Sequence, residues 1–285
     1  MQDAPPAAGL LVAGEERAAP PALALAGGAA WAFTARAPHK DTPNEDAALL
    51  LDLGGGAGVL AVADGCGGLP QGERASATAL GVLRDALLAA NGAAPPEGEA
   101  NGGWSARVYA AFEAASQAVA ALGGPCTTLS VVLIEDGAAR PFHAGDSPIL
   151  VFGQRGRRKL EVVAHSPTAY AVEAGFLVEE EALLHEDRHL VLNALGAEGA
   201  RIEIGAPVPL AAFDTVVVAS DGLSDNLYTE ETVALLRAGR LDRGLAAVAA
   251  RAAERMEQEG QGGPGHADDL TLLAFRRGRA AGAPR

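Results

Sequence analysis

Two short apolar segments of the chain end in the same kind of acidic turn. Residues 59–63 (VLAVA) run into the Asp-Gly pair at 64–65. Residues 215–219 (TVVVA) run into the Ser-Asp-Gly sequence at 220–222. A short continuous run of aliphatic residues that stops at a turn signal is typical of a strand buried on both faces. The fold must therefore cover both faces of such strands, and each strand brings a carboxylate to a sheet edge.

The rest of the pattern groups strands and helices into blocks. Strands are predicted at residues 31–37, 47–53, 59–63, 127–134, 140–143, 148–152, 160–164, 215–219 and 270–275. Helices are predicted at residues 73–90, 105–122, 229–238 and 241–257. Short strands separated by turn formers indicate antiparallel sheets, and helices in blocks indicate an α+β fold instead of alternating βαβ units.

The domain organisation follows from composition. An Ala/Pro-rich start over residues 1–28 predicts a flexible tail, and residues 278–285 are interpreted as a second, C-terminal tail. Between them, residues 29–277 show no internal repeat and predict one domain. Residues at about 165–190 are acidic and fit no single period, which predicts an irregular insertion over one face of that domain.

The charge balance excludes several classes of partner. The chain has 36 Asp and Glu against 22 Lys and Arg, a formal charge of -14. Such a surface repels nucleic acid and anionic membranes. The apolar start has no basic segment before it, so it does not resemble a signal peptide, and no apolar run reaches the roughly 18 residues of a membrane span.

The cysteines give a further expectation about location. Cys66 and Cys126 are the two cysteines of the chain, and they form no CxxC pair. This spacing predicts neither a disulfide framework nor a thiolate zinc site, and it favours a reducing compartment. The expected location is therefore the cytoplasm, with Cys66 as a small residue in its turn.

Acidic residues occur repeatedly beside the predicted strand ends. The clusters are residues 44–46 (Asn-Glu-Asp), 64–65 (Asp-Gly), 220–222 (Ser-Asp-Gly) and 268–269 (Asp-Asp). Any one of them alone is most simply a tight turn. Several carboxylates that meet at one rim of a sheet core repel one another unless cations neutralise them. Oxygen ligands without a His/Cys cluster favour Mg²⁺ or Mn²⁺ over zinc.

The ordered set of motifs resembles a known family. The motifs are Asn44-Glu45-Asp46-Ala47, VADGCGG at 62–68 with GERAS at 72–76, TTL at 127–129, AGDS at 144–147, SDGLSD at 220–225 and DDLTLL at 268–273. In order and spacing the set is similar to the type 2C metal-dependent protein phosphatases (the PPM family), over about residues 31–275. The resemblance implies a four-layer α/β/β/α sandwich, with two antiparallel sheets flanked by helices and a binuclear metal site at one edge.

The resemblance also implies a role for individual residues. Asp64 would bridge two Mn²⁺ or Mg²⁺ ions, and the Gly65 carbonyl would bind one of them. Asp221 and Asp268 would complete the shell of the first ion. Asp46 would anchor the site.

Two further positions extend this implied set. Glu45 would bind the waters of the second ion, and Asp146 resembles the family's ligand for a third, weaker ion. Two cations roughly 3.5–4 Å apart can share a water, lower its pKa and clamp the phosphoryl oxygens, so no protein nucleophile is required.

The chain departs from the family at two positions. Family members often carry a basic residue where this chain has Asp41, so Lys40 or His39 is the candidate to contact the substrate phosphate, although a solvated turn lysine is the simpler interpretation. Some relatives carry a histidine, proposed as a general acid, where this chain has Cys66.

The resulting hypothesis is a serine/threonine protein phosphatase that acts in signalling, as a monomer, on phosphorylated proteins and opposes a serine/threonine kinase. A phosphatase for a small phosphoester is an alternative, because the metal site does not read the leaving group. A pseudophosphatase that only binds phosphoproteins should have lost metal ligands, whereas every ligand position here is acidic or a glycine carbonyl. A purely structural acidic domain would require the ordered motifs to be coincidence.

Overall fold

The computed structural model describes residues 9–13, 22–66, 71–91, 103–261 and 263–278, and its strands form two antiparallel sheets. The strands are β1 (Gly9–Ala13), β2 (Leu23–Leu25), β3 (Gly28–Ala35), β4 (Asp46–Gly54), β5 (Ala57–Asp64), β6 (Leu129–Glu135), β7 (Ala138–Ala144), β8 (Ile149–Phe152), β9 (Arg158–Glu161), β10 (Glu203–Ile204), β11 (Val208–Pro209), β12 (Thr215–Ala219) and β13 (Leu270–Arg277). The first sheet has the order β1-β4-β5-β6-β7-β10, with β11 also on β7, and the second has the order β2-β3-β13-β12-β8-β9.

The four longest helices cover the outer faces of the sheets, and shorter helical pieces lie between them in the chain. The helices are α1 (Gly72–Ala90), α2 (Trp104–Ala120), α3 (Pro167–Glu173), α4 (Glu179–Ala182), α5 (Asp221–Ser224), α6 (Thr229–Leu236) and α7 (Leu241–Met256), with a 3₁₀ helix at Glu186–His189. Helices α1 and α2 pack on the first sheet, and α6 and α7 pack on the second. A third apolar layer fills the space between the sheets. The predicted four-layer α+β sandwich is confirmed. No helix in the described ranges combines the length and the apolar character that a bilayer span requires.

Strand β5 explains why a continuous apolar run is needed. Its side chains alternate between two cores, because successive residues of a strand point to opposite faces. Val59 and Ala61 belong to the core under α1 and α2, whereas Leu60 and Val62 belong to the core between the sheets. All four side chains are 0% exposed. The strand is thus held on both sides, which fixes the position of the acidic turn at its end.

The predicted N-terminal tail is wrong for two segments. Residues 9–13 form β1, which pairs antiparallel with β4, and residues 23–25 form β2, which pairs with β3. Each segment supplies apolar side chains to a sheet edge, and Leu25 is 2% exposed. Residues 1–8, 14–21 and 279–285, the other parts of the predicted tails, lie outside the described residues.

The acidic insertion at 165–190, called the flap segment below, contains three short helical pieces. They are α3, α4 and the 3₁₀ helix at Glu186–His189. Ser166 begins α3, because its Oγ accepts a hydrogen bond from the backbone N–H of Ala169 at 3.2 Å and Pro167 follows at the first helical position. Each piece has fewer than eight residues, which is too short to produce a recognisable period in the sequence.

Candidate metal centre

Strand register brings the first two carboxylates together. Asp46 begins β4 and Asp64 ends β5, and the two residues are direct partners across the antiparallel pair. Directly opposite residues of such a pair have Cβ atoms about 4.5–5.5 Å apart. The sequence clusters at 44–46 and 64–65 therefore meet at one rim of the first sheet, as predicted.

The second sheet brings its carboxylates to the same rim. Asp221 follows β12 as the first residue of α5, and Asp268 precedes β13, the neighbour of β12. The two sheets are joined here by Ser220. Its Oγ donates a hydrogen bond to Asp46 Oδ2 at 2.7 Å and accepts one from the backbone N–H of Thr271 at 2.9 Å. The site therefore straddles both sheets.

Two further motifs hold the backbone of Asp64. The Asp64 carbonyl accepts hydrogen bonds from Thr127 Oγ1 at 2.7 Å and from the Thr128 N–H at 2.8 Å. The Asp64 N–H donates to Thr128 Oγ1 at 3.1 Å, and Ser147 Oγ lies 2.7 Å from that hydroxyl. The TTL motif and the serine of AGDS thus fix the residue that is expected to bridge the ions.

Glycines allow the acidic turns to pack closely. A Cβ at Gly65 would lie 2.4 Å from the carbonyl carbon of Gly72, at the start of α1. A Cβ at Gly222 would lie 2.1 Å from the carbonyl oxygen of Asp269. Both separations are far below van der Waals contact, so neither position accepts a side chain. The glycine after each strand-end aspartate is required by packing.

Several carboxylate oxygens at this rim have no protein partner. In the described structure, Oδ1 of Asp46, Oδ1 of Asp146, Oδ1 of Asp221 and Oδ2 of Asp225 are buried and accept no hydrogen bond. Buried polar atoms in folded proteins are normally satisfied, and a group left unsatisfied requires an explanation. Carboxylate oxygens are the ligands of hard divalent cations, so the donor set fits Mn²⁺ or Mg²⁺.

Burial and mutual proximity raise the pKa values of these carboxyl groups. Burial raises the pKa of Asp46 to about 7, although the hydrogen bond from Ser220 opposes this shift. Burial and then the charge of Asp225 raise the pKa of Asp146 to about 7. Burial and then neighbouring carboxylates hold the pKa of both Asp64 and Asp221 well above the ordinary range. The site favours positive charge in its centre.

This electrostatic arrangement makes the stability of the metal-free protein depend on pH. The carboxyls of Asp46 and Asp146 have a pKa near 4 when unfolded and about 7 when folded. The folded state therefore binds more protons between these values, so the free energy of unfolding falls as the pH rises from about 4 to about 7. We expect chelated protein to melt several degrees lower at about pH 7.5 than at about pH 5, and Mn²⁺ to reverse the loss. A flat profile in thermal denaturation would contradict this assignment.

One member of the acidic group was missed in the sequence. Asp225 directly follows α5, four residues after Asp221, and is 8% exposed. Its charge contributes to the raised pKa of both Asp146 and Asp221, so it shares their environment. The signal was present as the second aspartate of the SDGLSD motif. A helical spacing of four residues places both aspartates on one face of the turn.

Lys40 and His39, which the sequence offers as contacts for a substrate phosphate, contact acidic side chains instead. Lys40 Nζ contacts Glu45 Oε2 at 2.8 Å and Asp269 Oδ2 at 2.6 Å. Burial acts to lower the pKa of Lys40, but these two hydrogen bonds outweigh it and raise that pKa. His39 Nε2 lies 3.1 Å from Glu257 Oε2, with its side chain 84% exposed. Neither residue lines the cleft that holds the carboxylates, so this arrangement does not favour the predicted substrate contact.

Asp269 has a structural task that differs from that of its neighbour. Its Oδ1 accepts a hydrogen bond from the Ala37 N–H at 2.8 Å, and its Oδ2 accepts one from the Glu45 N–H at 2.7 Å. Together with the Lys40 ion pair, these bonds hold the turn that carries Glu45 and Asp46. Asp268 instead faces the cleft.

The two neighbours are therefore expected to respond differently to the same substitution. Asp268→Asn should weaken Mn²⁺ binding, because a neutral amide is a poorer ligand for a hard cation. Asp269→Asn should cost about 1–3 kcal/mol of stability, because it removes a charge and an acceptor from a buried network. The contacts of Asp269 with Ala37, Lys40 and Glu45 are the basis of this expectation. Mn²⁺ titration and denaturant unfolding of both variants separate the two effects; the reverse pattern would exchange the two roles.

The carboxylates line a cleft of about 530 Å³ whose wall includes both cysteines. Cys66 and Cys126 form a disulfide, with Cα atoms 5.4 Å apart, and the Cys66 N–H donates to the Cys126 carbonyl at 3.0 Å. The expectation of no disulfide is wrong, because a separation of 60 residues in sequence carries no information about which residues meet in the fold. The cross-link lies directly after the Asp64-Gly65 turn.

The fold agrees with comparisons to known proteins. Residues 35–261 match the family model described as protein phosphatase 2C. A protein phosphatase 2C-type relative from Streptococcus pyogenes is 32% identical over 114 residues, 40% of this chain and 46% of that relative. The serine/threonine phosphatase stp of Listeria monocytogenes is 27% identical over 187 residues, 64% of this chain and 73% of that protein. The chain belongs to the protein phosphatase 2C family.

Solved structures show the same fold. The PPM Ser-Thr phosphatase MsPP from Mycobacterium smegmatis, in complex with cacodylate, superposes with a TM-score of 0.70 at 24% identity, over 87% of this chain and 98% of that one. The catalytic domain of the serine/threonine protein phosphatase PstP, in complex with two manganese ions, gives a TM-score of 0.66 at 22% identity, over 88% of this chain and 98% of that one.

Proposed function

We propose that this chain hydrolyses phosphoserine and phosphothreonine esters of proteins, with two Mn²⁺ or Mg²⁺ ions bound at the shared rim of its sheets. The observation that carries the proposal is the set of buried carboxylate oxygens without partners, which comes from both sheets. Membership of the protein phosphatase 2C family supports the reaction class. The two manganese ions in the PstP catalytic domain support the number of ions.

The residues at this rim have two proposed roles. Some bind the cations, and others hold those ligands in place. Asp64 is the proposed shared ligand, Asp221 and Asp268 the ligands of the first ion, and the Gly65 carbonyl a further donor. Glu45 lines the same cleft and is proposed to act through water. The bound ions would supply Lewis acidity and a lowered pKa for water at the phosphorus.

The other polar residues keep the ligands in position. Asp46 is restrained by Ser220, and Asp64 by the hydroxyl groups of Thr127 and Thr128. Because these groups are fixed before substrate binds, little reorganisation is needed during the reaction. Asp146 is proposed to hold a third, weaker ion at the side of the cleft.

Phosphorylated proteins are the proposed substrates, which makes a serine/threonine kinase the opposing enzyme and signalling the context. A monomeric state and a cytoplasmic location remain predictions from the sequence. The paired cysteines do not favour the reducing compartment that the sequence suggested.

The test is release of phosphate from a phosphothreonine peptide and from small phosphoesters, with Mn²⁺ and with excess chelator. The proposal expects metal-dependent turnover of the peptide at a higher kcat/KM than of the small esters. Preference for a small phosphoester would identify the alternative substrate class. Full activity in chelator, with no metal detected in the protein, would overturn the mechanism.

A further inference from the structure

Two histidines and an aspartate meet where the flap segment reaches the cleft. His189 ends the 3₁₀ helix of the flap segment, Asp225 follows α5, and His266 lies in the loop before β13. One ligand atom from each of the three lies within 4.8 Å of the other two. Three separate parts of the chain therefore deliver metal-ligating atoms to one point.

His266 is already oriented as a ligand. Its Nδ1 lies 2.9 Å from Glu259 Oε1, and in the tautomer that donates Nδ1–H to that carboxylate, Nε2 is the nitrogen available to an ion. A carboxylate behind the second ring nitrogen is the usual support for a metal-binding histidine, because it fixes the tautomer and the ring orientation. The rings of His266 and His189 lie with centroids 4.2 Å apart.

Asp225 supplies an oxygen without a partner. Its Oδ2 is buried and accepts no hydrogen bond in the described structure. His189 Nδ1 lies 3.5 Å from this oxygen. The buried oxygen is therefore beside the His189 imidazole, and the carboxylate is within reach of both histidines.

We propose that His189, Asp225 and His266 form a binding site for a borderline divalent cation such as Zn²⁺ or Co²⁺. Two of its ligands are nitrogens, whereas the proposed site for the two Mn²⁺ or Mg²⁺ ions has oxygen ligands. Imidazole nitrogen suits Zn²⁺ and its neighbours, whereas oxygen-only ligands suit Mg²⁺ and Mn²⁺. Ligand atoms of a tetrahedral Zn²⁺ with bonds of about 2.1 Å lie about 3.4 Å apart. The ion therefore draws the three groups together and fastens the flap segment to the wall of the cleft.

A second histidine cluster in the described structure is engaged in more hydrogen bonds within the protein. His143 and His165 stack with ring centroids 4.5 Å apart and an interplanar angle of 13°, beside Glu203. His165 Nδ1 already accepts hydrogen bonds from the Gly145 N–H and from Asn193 Nδ2, both at 3.0 Å. Binding of an ion through His165 Nδ1 would cost both of these hydrogen bonds, so the proposed site is placed at His189, Asp225 and His266.

The test uses Co²⁺ absorption in excess Mg²⁺, because four-coordinate Co²⁺ with nitrogen ligands absorbs visible light far more strongly than six-coordinate Co²⁺ with oxygen ligands. Wild-type protein is expected to bind one strongly absorbing Co²⁺. His189→Ala and His266→Ala should each weaken that binding at least about tenfold, and Glu259→Gln about tenfold. His39→Ala is the matched control, since His39 is an exposed histidine that also contacts a glutamate.

A second measurement tests whether the bound ion holds the flap segment in place. Zn²⁺ is expected to slow tryptic cleavage after Arg188, which precedes His189, in wild type but not in His266→Ala. An equal Co²⁺ band in wild type and in the His189→Ala/His266→Ala double variant would overturn the proposal. So would loss of the band in Asp146→Asn with no change in His266→Ala, because that result assigns the ion to the carboxylates.

Discussion

Asp64→Ala is expected to lower turnover on a phosphothreonine peptide by roughly three orders of magnitude, at least the loss that follows removal of one preorganised oxyanion donor. The reason is geometric. Asp64 lies opposite Asp46 in the first sheet, and its pKa is raised by burial and then by the charges of Asp46 and Asp268. This position is the reason that Asp64 is proposed as the ligand shared by both ions.

The control for this variant is Asp85→Ala. Asp85 lies on α1 with its side chain 66% exposed, and its substitution removes one negative charge without touching the cleft. Calorimetry should find metal binding lost in Asp64→Ala and intact in Asp85→Ala. The metal-free Asp64→Ala protein should be at least as stable as wild type near neutral pH, because one repelling carboxylate is gone. Wild-type turnover in Asp64→Ala would refute the bridging role.

Reducing the Cys66–Cys126 disulfide is expected to have the largest effect on stability. The link closes a loop with a sequence separation of 60 residues, for which chain entropy predicts a contribution on the order of 4 kcal/mol. A loss of that size corresponds to a fall in Tm of about 10 °C for a domain of this size. Thermal denaturation with and without dithiothreitol measures it.

Serine substitutions separate the disulfide from other effects of the reductant. Cys66→Ser, Cys126→Ser and the double variant should all melt near the temperature of the reduced wild type and should not respond to dithiothreitol. Two titratable thiols in the native, untreated protein, together with an unchanged Tm on reduction, would show that the pair is not bonded in solution.

Some strands could be predicted because their sequences are compatible with only one environment, burial on both faces. The run TVVVA was predicted as a strand over 215–219, and β12 has these bounds. A fully apolar strand must be buried on both faces, so its length and its exit are set locally. The acidic turns at Asp64, Asp221 and Asp268 were found for the same reason.

Other features depend on contacts between distant parts of the chain. The disulfide, the Lys40–Asp269 ion pair and the pairing of β1 with β4 join residues whose proximity has no local signal. The sequence offered Lys40 as a free cation for substrate, whereas the fold surrounds it with acids. Asp225 was missed because a second aspartate in a turn is ordinarily a solvated one.

The division of the proposed metal ligands between two sheets has a mechanical consequence. Asp46 and Asp64 move with one sheet and Asp221 and Asp268 with the other, with the Ser220 hydroxyl between them. The spacing of the ligands is thus set by how closely the interlayer core packs, including side chains such as Leu60 that never approach an ion. The thickness of this interlayer core therefore sets the distance between the two groups of carboxylates, and sliding of one sheet against the other would change that distance.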